Sequence, residues 1–288
     1  MDNMDNRKSL MARAEVLAAS RPVEAVALYA QVLALDPANL AAHNALERME
    51  AAERYSRWMR VNCVIDPRDD IFRFFAAHPL AKSPIREYLS DGWRTMMELM
   101  LLLERLDRPL VKTPSVLEFA AGFGRFTRHL ARALPGRVTC TDIQPGSVEF
   151  LREQFGVDAF YSALNPEEIV YPQQYELIFV LSLFTHLPVE RWGTWLKHLH
   201  RGLKPGGLLL FSVHNEKAAV QEGVRFDERG THFIRSSESP QLGADEYGTT
   251  FTTDNFVASQ VALSLGRAPL LHEHLAFWVG QDAVVVSA

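Results

Sequence analysis

The residues best placed to do chemistry are two acids that frame a glycine-containing turn. Glu118 closes an apolar run, the turn Ala120–Gly124 follows, and Asp142 ends the next apolar run. Gly122 and Gly124 let the backbone approach a ligand closely and adopt dihedral angles that other residues resist. An acid at the end of a second strand can accept hydrogen bonds from ribose hydroxyls. The segment therefore predicts a strand-turn-helix-strand unit that binds a ligand containing adenosine.

The charge at this turn discriminates between two classes of ligand. A nicotinamide- or flavin-binding turn requires Gly-x-Gly-x-x-Gly, but Thr127 stands at the position of the third glycine. The Glu118 carboxylate would be unfavourable beside a pyrophosphate, whereas it could balance an ammonium group. S-Adenosylmethionine carries an ammonium and a sulfonium and has no phosphate. The residues therefore favour S-adenosylmethionine as cofactor, with S-adenosylhomocysteine as product, over a dinucleotide-dependent oxidoreductase.

An ordered set of segments carries a family resemblance. The series Glu118–Gly124 resembles the first motif of class I S-adenosylmethionine-dependent methyltransferases, with Ala120 where a first glycine is commoner. Further segments similar to that family follow in its order: Asp142 after the second strand, Tyr175–Pro188 as the fourth strand and its loop, the Leu203–Gly207 turn, and the last strand at Gly280–Asp282. The resemblance covers about residues 112–288 and implies an enzyme of this class.

The resemblance also implies which residues bind the cofactor. They are Ala120, Gly122 and Gly124 in the backbone turn, Glu118 at the methionine end, Asp142 at the ribose, Ile143 at the adenine face, and Leu181 and Ser182 near the methionine. Ligands of open α/β sheets bind beyond the carboxyl ends of the strands, which adds Arg125 and Ser162. The alternative for Arg125 is a surface position at the start of a helix.

Two histidines are candidate catalytic bases. Methyl transfer to a hydroxyl needs a positioned acceptor and a group that accepts its proton. His186 and His214 follow predicted strands, and imidazole titrates near neutrality. The alternative is that His186 caps a helix or fixes its loop. Since no metal-ligand constellation accompanies these residues, no metal site is predicted.

Alternating apolar strands and helices after Pro114 predict the architecture that positions these residues. We expect a Rossmann-like α/β fold with seven strands, a mostly parallel sheet and helices on both faces. The predicted strands are Val116–Phe119, Val138–Thr141, Ala159–Tyr161, Leu177–Leu181, Leu208–Val213, Leu270–Ala276 and Ala283–Ser287. The resemblance implies that the last strand is antiparallel.

An α-helical N-terminal extension precedes this domain. We predict a tetratricopeptide-like segment over residues 1–53, a helical linker or cap region over 54–112, and the methyltransferase domain over 113–288. Ala25, Tyr29 and Asp36-Pro37 resemble the second helix of a tetratricopeptide repeat, although the tryptophan and glycine of its first helix are missing. A generic helical pair is the alternative. One repeat is rarely stable alone, so we expect these helices to pack on the chain, bind a protein partner or self-associate.

A polar stretch between His214 and Thr253 is long for a connection in a compact domain. Together with residues 70–95 it predicts a cap that binds the methyl acceptor, with a disordered insertion as the alternative. Ser182–Thr185 stands where an Asn-Pro-Pro-Tyr-like tetrapeptide would indicate nitrogen methylation. We therefore expect an oxygen of a small molecule or glycan as acceptor.

Bulk composition narrows the remaining possibilities. The net charge of -5 and the absence of a long basic run argue against nucleic-acid or anionic-membrane binding as the main activity. Two cysteines, a polar N-terminus and no long apolar helix fit a cytoplasmic protein without disulfides. The alternative from another functional class is a non-catalytic interaction protein with a degenerate methyltransferase fold.

Overall fold

The computed structural model describes residues 3–51, 54–236, 242–278 and 280–288. The chain forms two compact units, Met1–Trp93 and Arg94–Ala288. The predicted domain limits at residues 53 and 112 stay predictions. Among the described residues, no helix combines the length and apolar character that crossing a bilayer requires.

The first unit is helical. Its helices are α1 (Asn3–Leu17), α2 (Pro22–Leu35), α3 (Leu40–Arg48), α4 (Tyr55–Met59), α5 (Asp70–Ala77) and the start of α6 (Pro84–Arg105). Pro22 occupies the first turn of α2, where its missing N–H costs nothing, and the Asn39 side chain caps α3. The predicted N-terminal helices are therefore present, whereas the tetratricopeptide resemblance and the expected partner stay predictions.

Two small cores stabilise this unit. Small residues such as Ala14 and Ala25 are wholly buried between the first helices. In the second core, the hydroxyl of Tyr88 donates to Asp69 Oδ2 at 2.6 Å, which satisfies a buried carboxylate.

The second unit contains a nine-stranded sheet of described residues. Its strands are β1 (Val116–Phe119), β2 (Val138–Asp142), β3 (Asp158–Tyr161), β4 (Tyr175–Val180), β5 (Leu203–His214), β6 (Thr231–Ile234), β7 (Thr249–Thr252), β8 (Leu271–Phe277) and β9 (Gln281–Ser287). Strands β3, β2, β1, β4 and β5 are parallel neighbours, and β9 pairs antiparallel with β5 and with β8. The expected mostly parallel sheet with an antiparallel last strand is confirmed.

Helices cover both faces of the sheet, which explains why its central strands are continuous apolar runs. The helices of this unit are α7 (Thr127–Ala133), α8 (Ser147–Phe155), α9 (Val189–Arg201), α10 (Glu216–Gln221) and α11 (Asp254–Leu265), beside the end of α6. One core joins the sheet to α6, α7 and α8 through Leu99, Leu130 and Leu151. The other joins it to α9 and α11 through Trp192 and Val261.

The expected strand count of seven was too low, because the polar stretch after His214 contains two more strands. Strand β7 pairs parallel with the end of β5 at His214 and Phe251, and β6 pairs antiparallel with β7. Both are short and carry threonines in place of an apolar run. The described part of this stretch also contains α10, while residues 237–241 lie outside the described residues. A further difference is that the Lys204–Gly207 turn is an irregularity inside β5.

Candidate functional site

The glycine-containing turn after β1 has left-handed backbone at alternate residues. The φ angles are +58° at Ala120, +57° at Gly122 and +78° at Gly124. A Cβ at Gly122 would meet nothing within 4 Å, whereas one at Gly124 would lie 2.4 Å from Phe155 Cε2. Gly122 therefore borders open space, and Gly124 permits the close approach of α8. Ala120 holds an uncommon conformation for a residue with a Cβ.

Asp142 ends β2 directly beside this turn. The side chain is buried, its Oδ2 accepts a hydrogen bond from Gly122 N at 2.6 Å, and its Oδ1 accepts one from Gln144 N at 2.8 Å. Asp142 therefore fixes the turn to the start of the loop after β2.

Glu118 lies under the turn in a buried setting. Its Oε2 accepts a hydrogen bond from the Thr127 hydroxyl at 2.7 Å, and the Cys140 thiol lies 3.8 Å from the same oxygen. Burial raises the pKa of Glu118 to about 8, which the Thr127 hydroxyl and the Arg125 charge only partly oppose. Thr127, which the sequence showed only as a missing glycine, is thus the donor that orients this acid.

The other predicted cofactor residues surround the same edge. Arg125 is partly buried, with its guanidinium carbon 4.7 Å from the centre of the Trp278 ring. Ser162 N donates to Asp142 O at 2.9 Å, which keeps Ser162 beside Asp142, the residue predicted to bind the ribose. Ile143 and Leu181 are partly buried.

Ser182 follows β4 in a strained backbone conformation with φ of +62°. Its N–H donates to Ser212 Oγ at 2.8 Å, and its carbonyl accepts from the Thr185 hydroxyl at 2.8 Å. The Gln281 amide donates to Ser182 Oγ at 3.0 Å. Gln281, which comes 99 positions later in the chain, was missed by sequence reasoning because only the sheet pairing brings it here.

His186 is held in one tautomer. Its Nδ1–H donates to the Gly248 carbonyl at 2.7 Å, so the neutral ring carries its lone pair on Nε2. The ring is buried and stacks on Tyr247 with centroids 4.5 Å apart. These contacts fix the loop after β4, and they also set the orientation that a base at this position requires.

His214 ends β5 near His186, with ring centroids 6.5 Å apart. It stacks on Phe251, and its Nδ1 has no hydrogen-bond partner among the described residues. Burial lowers the pKa of His214 to about 4, with a smaller effect from the neighbouring His186 and an opposing one from the Thr250 backbone. His214 is therefore neutral at pH 7, and it is a weak base.

These positions divide into two groups along one sheet edge. Glu118, Gly122 and Asp142 gather at the ends of β1 and β2, while Ser182, His186 and His214 follow β4 and β5. Residues 116–207 match the family model described as a methyltransferase domain. This match places residues 116–207 of the second unit in the methyltransferase domain family.

Known proteins similar to this methyltransferase domain differ in what they methylate. The chain is 32% identical over 147 residues to a malonyl-[acyl-carrier protein] O-methyltransferase of Acetivibrio thermocellus, covering 50% of this chain and 48% of that protein. It is 25% identical over 129 residues to an N-terminal Xaa-Pro-Lys N-methyltransferase 1 of Bos taurus, covering 43% of this chain and 56% of that protein. The match thus spans about half the length of these curated relatives.

A solved structure shares the fold of the methyltransferase domain. Magnesium protoporphyrin IX methyltransferase from Synechocystis PCC 6803, with bound S-adenosylhomocysteine, superposes with a TM-score of 0.50 at 13% identity. The match covers 76% of this chain and 93% of that one. At this identity the likeness concerns the fold alone.

Proposed function

We propose that this protein binds S-adenosylmethionine at the turn after β1 and transfers its methyl group to an acceptor held beyond β4 and β5. The observation that carries the proposal is the pair of buried acids, Glu118 and Asp142, placed on either side of a turn whose Gly122 borders open space. When bound, S-adenosylmethionine supplies an electrophilic methyl group.

The residues at the turn fit this cofactor. Asp142, the buried acid that ends β2 beside the turn, would accept hydrogen bonds from the ribose hydroxyls, and Ile143 follows it where an adenine ring would lie. Glu118 would hold the ammonium group, since a neighbouring cation favours the charged carboxylate and brings its pKa down. A pyrophosphate carries no cation that would ionise this acid, so a dinucleotide would gain no ion pair from Glu118.

We further propose that the acceptor is an oxygen of a small molecule or glycan. Ser182–Thr185 follows β4 in place of a tetrapeptide suited to amide or base nitrogen. The Acetivibrio thermocellus relative is named as an O-methyltransferase, which supports an oxygen acceptor. The Bos taurus relative is named as an N-methyltransferase, so the acceptor screen must include amines.

For an oxygen acceptor we assign the proton-accepting role to His186. The Gly248 carbonyl holds Nδ1–H, which leaves Nε2 to take the proton and stabilises the resulting imidazolium. His214, with a pKa of about 4, would instead line the site as a neutral ring.

The stretch after His214 is the proposed acceptor wall, because β7 is bound to the loop that carries His186. Gly248 N donates to His186 O at 2.9 Å and Thr250 N to Thr185 O at 2.7 Å. The Thr250 hydroxyl donates to Leu187 O at 2.6 Å. If this wall closes on the acceptor, limited proteolysis of residues 222–248 should slow when cofactor and acceptor are both present, whereas unchanged cleavage would contradict it.

Calorimetry with S-adenosylhomocysteine tests the cofactor half of the proposal. Asp142→Ala should weaken binding by about 10- to 100-fold, the cost of losing hydrogen bonds to a charged group. The matched control is Asp158→Ala, at an exposed carboxylate that begins β3. Circular dichroism should show that both variants fold. Absence of binding by the unmodified chain would favour the interaction protein.

Methyl transfer is tested separately with labelled S-adenosylmethionine. Metabolite, glycan and amine fractions should be screened for label transfer and for release of S-adenosylhomocysteine. Transfer to a hydroxyl compound would support the full proposal. Cofactor binding without transfer to any fraction would contradict the catalytic half, and transfer to amines alone would overturn the oxygen acceptor.

A further inference from the structure

Four side chains from three elements converge on the α11 side of the sheet. They are Asp254, the first residue of α11, His272 and His274 on β8, and Asp282 on β9. One nitrogen or oxygen from each lies within 4.8 Å of those of the other three. His272 and His274 are two positions apart in a strand, so both imidazoles leave the same face of β8.

Asp282 provides a fixed buried acceptor at the base of this cluster. Its side chain is fully buried. Oδ1 accepts hydrogen bonds from Leu275 N at 2.8 Å and from the Asn215 amide. Oδ2 turns to the two imidazoles, 2.8 Å from His274 Nδ1 and 3.2 Å from His272 Nε2. Such outer hydrogen bonds are typical of the groups that orient a ligating carboxylate.

Asp254 closes the opposite side of the cluster. Its carboxylate oxygens lie 3.8 Å from His272 Nε2 and 3.4 Å from His274 Nε2. Four ligands at about 2.0–2.2 Å in a tetrahedral arrangement lie roughly 3.3–3.6 Å from one another. His272 Nε2 lies 3.2 Å from Asp282 and 3.8 Å from Asp254, which brackets that spacing. His274 faces Asp282 with Nδ1 and Asp254 with Nε2, so its ring would have to rotate to present one nitrogen to a shared ion.

The cluster is separate from the proposed methyl-transfer site. Gln281 and Asp282 are adjacent in β9 and therefore point to opposite faces of the sheet. The Gln281 side chain contacts Ser182, whereas Asp282 contacts the histidines of β8. Access is available on the outer side, since the side chains of His274 and Asp254 are 59% and 51% exposed.

We propose that Asp254, His272, His274 and Asp282 bind a divalent transition-metal ion. Two imidazoles and two carboxylates in a compact set match the ligand preferences of zinc. With all four positions supplied by the protein, the ion would be structural, joining the start of α11 to the β8–β9 hairpin. No metal was expected from the sequence, because these residues form no recognisable spacing and meet only through the sheet.

Cobalt binding to the full, untagged chain tests the site. After chelator treatment, one equivalent of Co²⁺ should produce the intense visible absorption of four-coordinate cobalt, and Zn²⁺ should abolish it. His274→Ala and Asp254→Ala each remove a half-exposed ligand, so these variants should fold and should bind Co²⁺ at least about tenfold more weakly. The matched control is His78→Ala, which removes the exposed imidazole of the residue that caps the C-terminus of α5. This variant should bind Co²⁺ as tightly as the unmodified chain does.

Thermal unfolding gives a second readout that does not depend on methyl transfer. One equivalent of Zn²⁺ should raise the Tm of the unmodified chain by several degrees, since a ligand that binds the native state stabilises it, and should leave that of Asp254→Ala nearly unchanged. The proposal would be overturned if the unmodified chain bound neither metal, or if both ligand variants bound Co²⁺ as tightly as the unmodified chain does.

Discussion

Glu118 has a charge state that differs from that of an ordinary glutamate. It is buried, and its nearest hydrogen-bond donors are the neutral Thr127 hydroxyl and Cys140 thiol. Desolvation therefore outweighs hydrogen bonding, and the carboxyl holds its proton up to a pKa of about 8. The Glu118 carboxyl is therefore neutral at pH 7, and a neighbouring cation would lower its pKa and favour its ionised form.

This charge state predicts how stability depends on pH. The folded chain holds the Glu118 proton up to about pH 8, while the unfolded chain loses it near 4.5, so stability falls as pH rises between these values. The limiting slope is about 1.4 kcal/mol per pH unit. Glu118→Gln should lack this decline in urea unfolding at pH 6 and 7.5. The exposed Glu153→Gln should keep it, and equal slopes in all three proteins would contradict the assignment.

The two histidines should separate in kinetics. With an acceptor found by the screen, His186→Ala should lower kcat by about 10²- to 10⁴-fold, the usual contribution of a positioned base, and change cofactor affinity less than twofold. His214→Ala should lower kcat less, because a group with a pKa of about 4 is a weak base. Equal activity of His186→Ala and the unmodified chain in an initial-rate assay would remove His186 from the mechanism.

At the scale of elements, the two glycines of the turn after β1 have different roles: Gly124 lies against α8, and Gly122 borders open space. Gly124→Ala adds a Cβ 2.4 Å from Phe155 Cε2 at a φ of +78°, so it should lower the free energy of unfolding by about 2–4 kcal/mol. Gly136→Ala, with φ of +73° and nothing within 4 Å, is the matched control and should cost about 1–2 kcal/mol. Urea unfolding measures both, and equal losses would show that the contact with α8 is unimportant.

Gly122→Ala should affect binding more than stability. Its Cβ would enter open space at a φ of +57°, so the loss of stability should resemble that of Gly136→Ala. The added methyl group would occupy the surface where we propose that the cofactor binds. Calorimetry with S-adenosylhomocysteine should therefore show at least about tenfold weaker binding, and unchanged affinity would place the cofactor elsewhere.

The elements that could be predicted from the sequence are those whose burial requires a continuous run of apolar residues. Strands covered on both faces, such as β1 and β5, are apolar runs that turns interrupt. Strands β6 and β7 were missed, because short threonine-containing strands at the margin of a sheet resemble polar loops. Thr127 and Gln281 could not be assigned roles, since their partners are set by packing and by strand register.

At the scale of the whole molecule, the division into two units predicts where a ligand acts. Residues 1–93 and 94–288 each contain their own cores, and the turn and both acids lie in the second unit. S-Adenosylhomocysteine should therefore lower amide hydrogen exchange over residues 116–124 and 138–143, while α2 and α3 should exchange at an unchanged rate. Mass spectrometry of peptic fragments measures both regions. At a ligand concentration near the Kd of the unmodified chain, Asp142→Ala should lose most of the protection. Slowed exchange in α2 or α3 would show that the first unit responds to the cofactor.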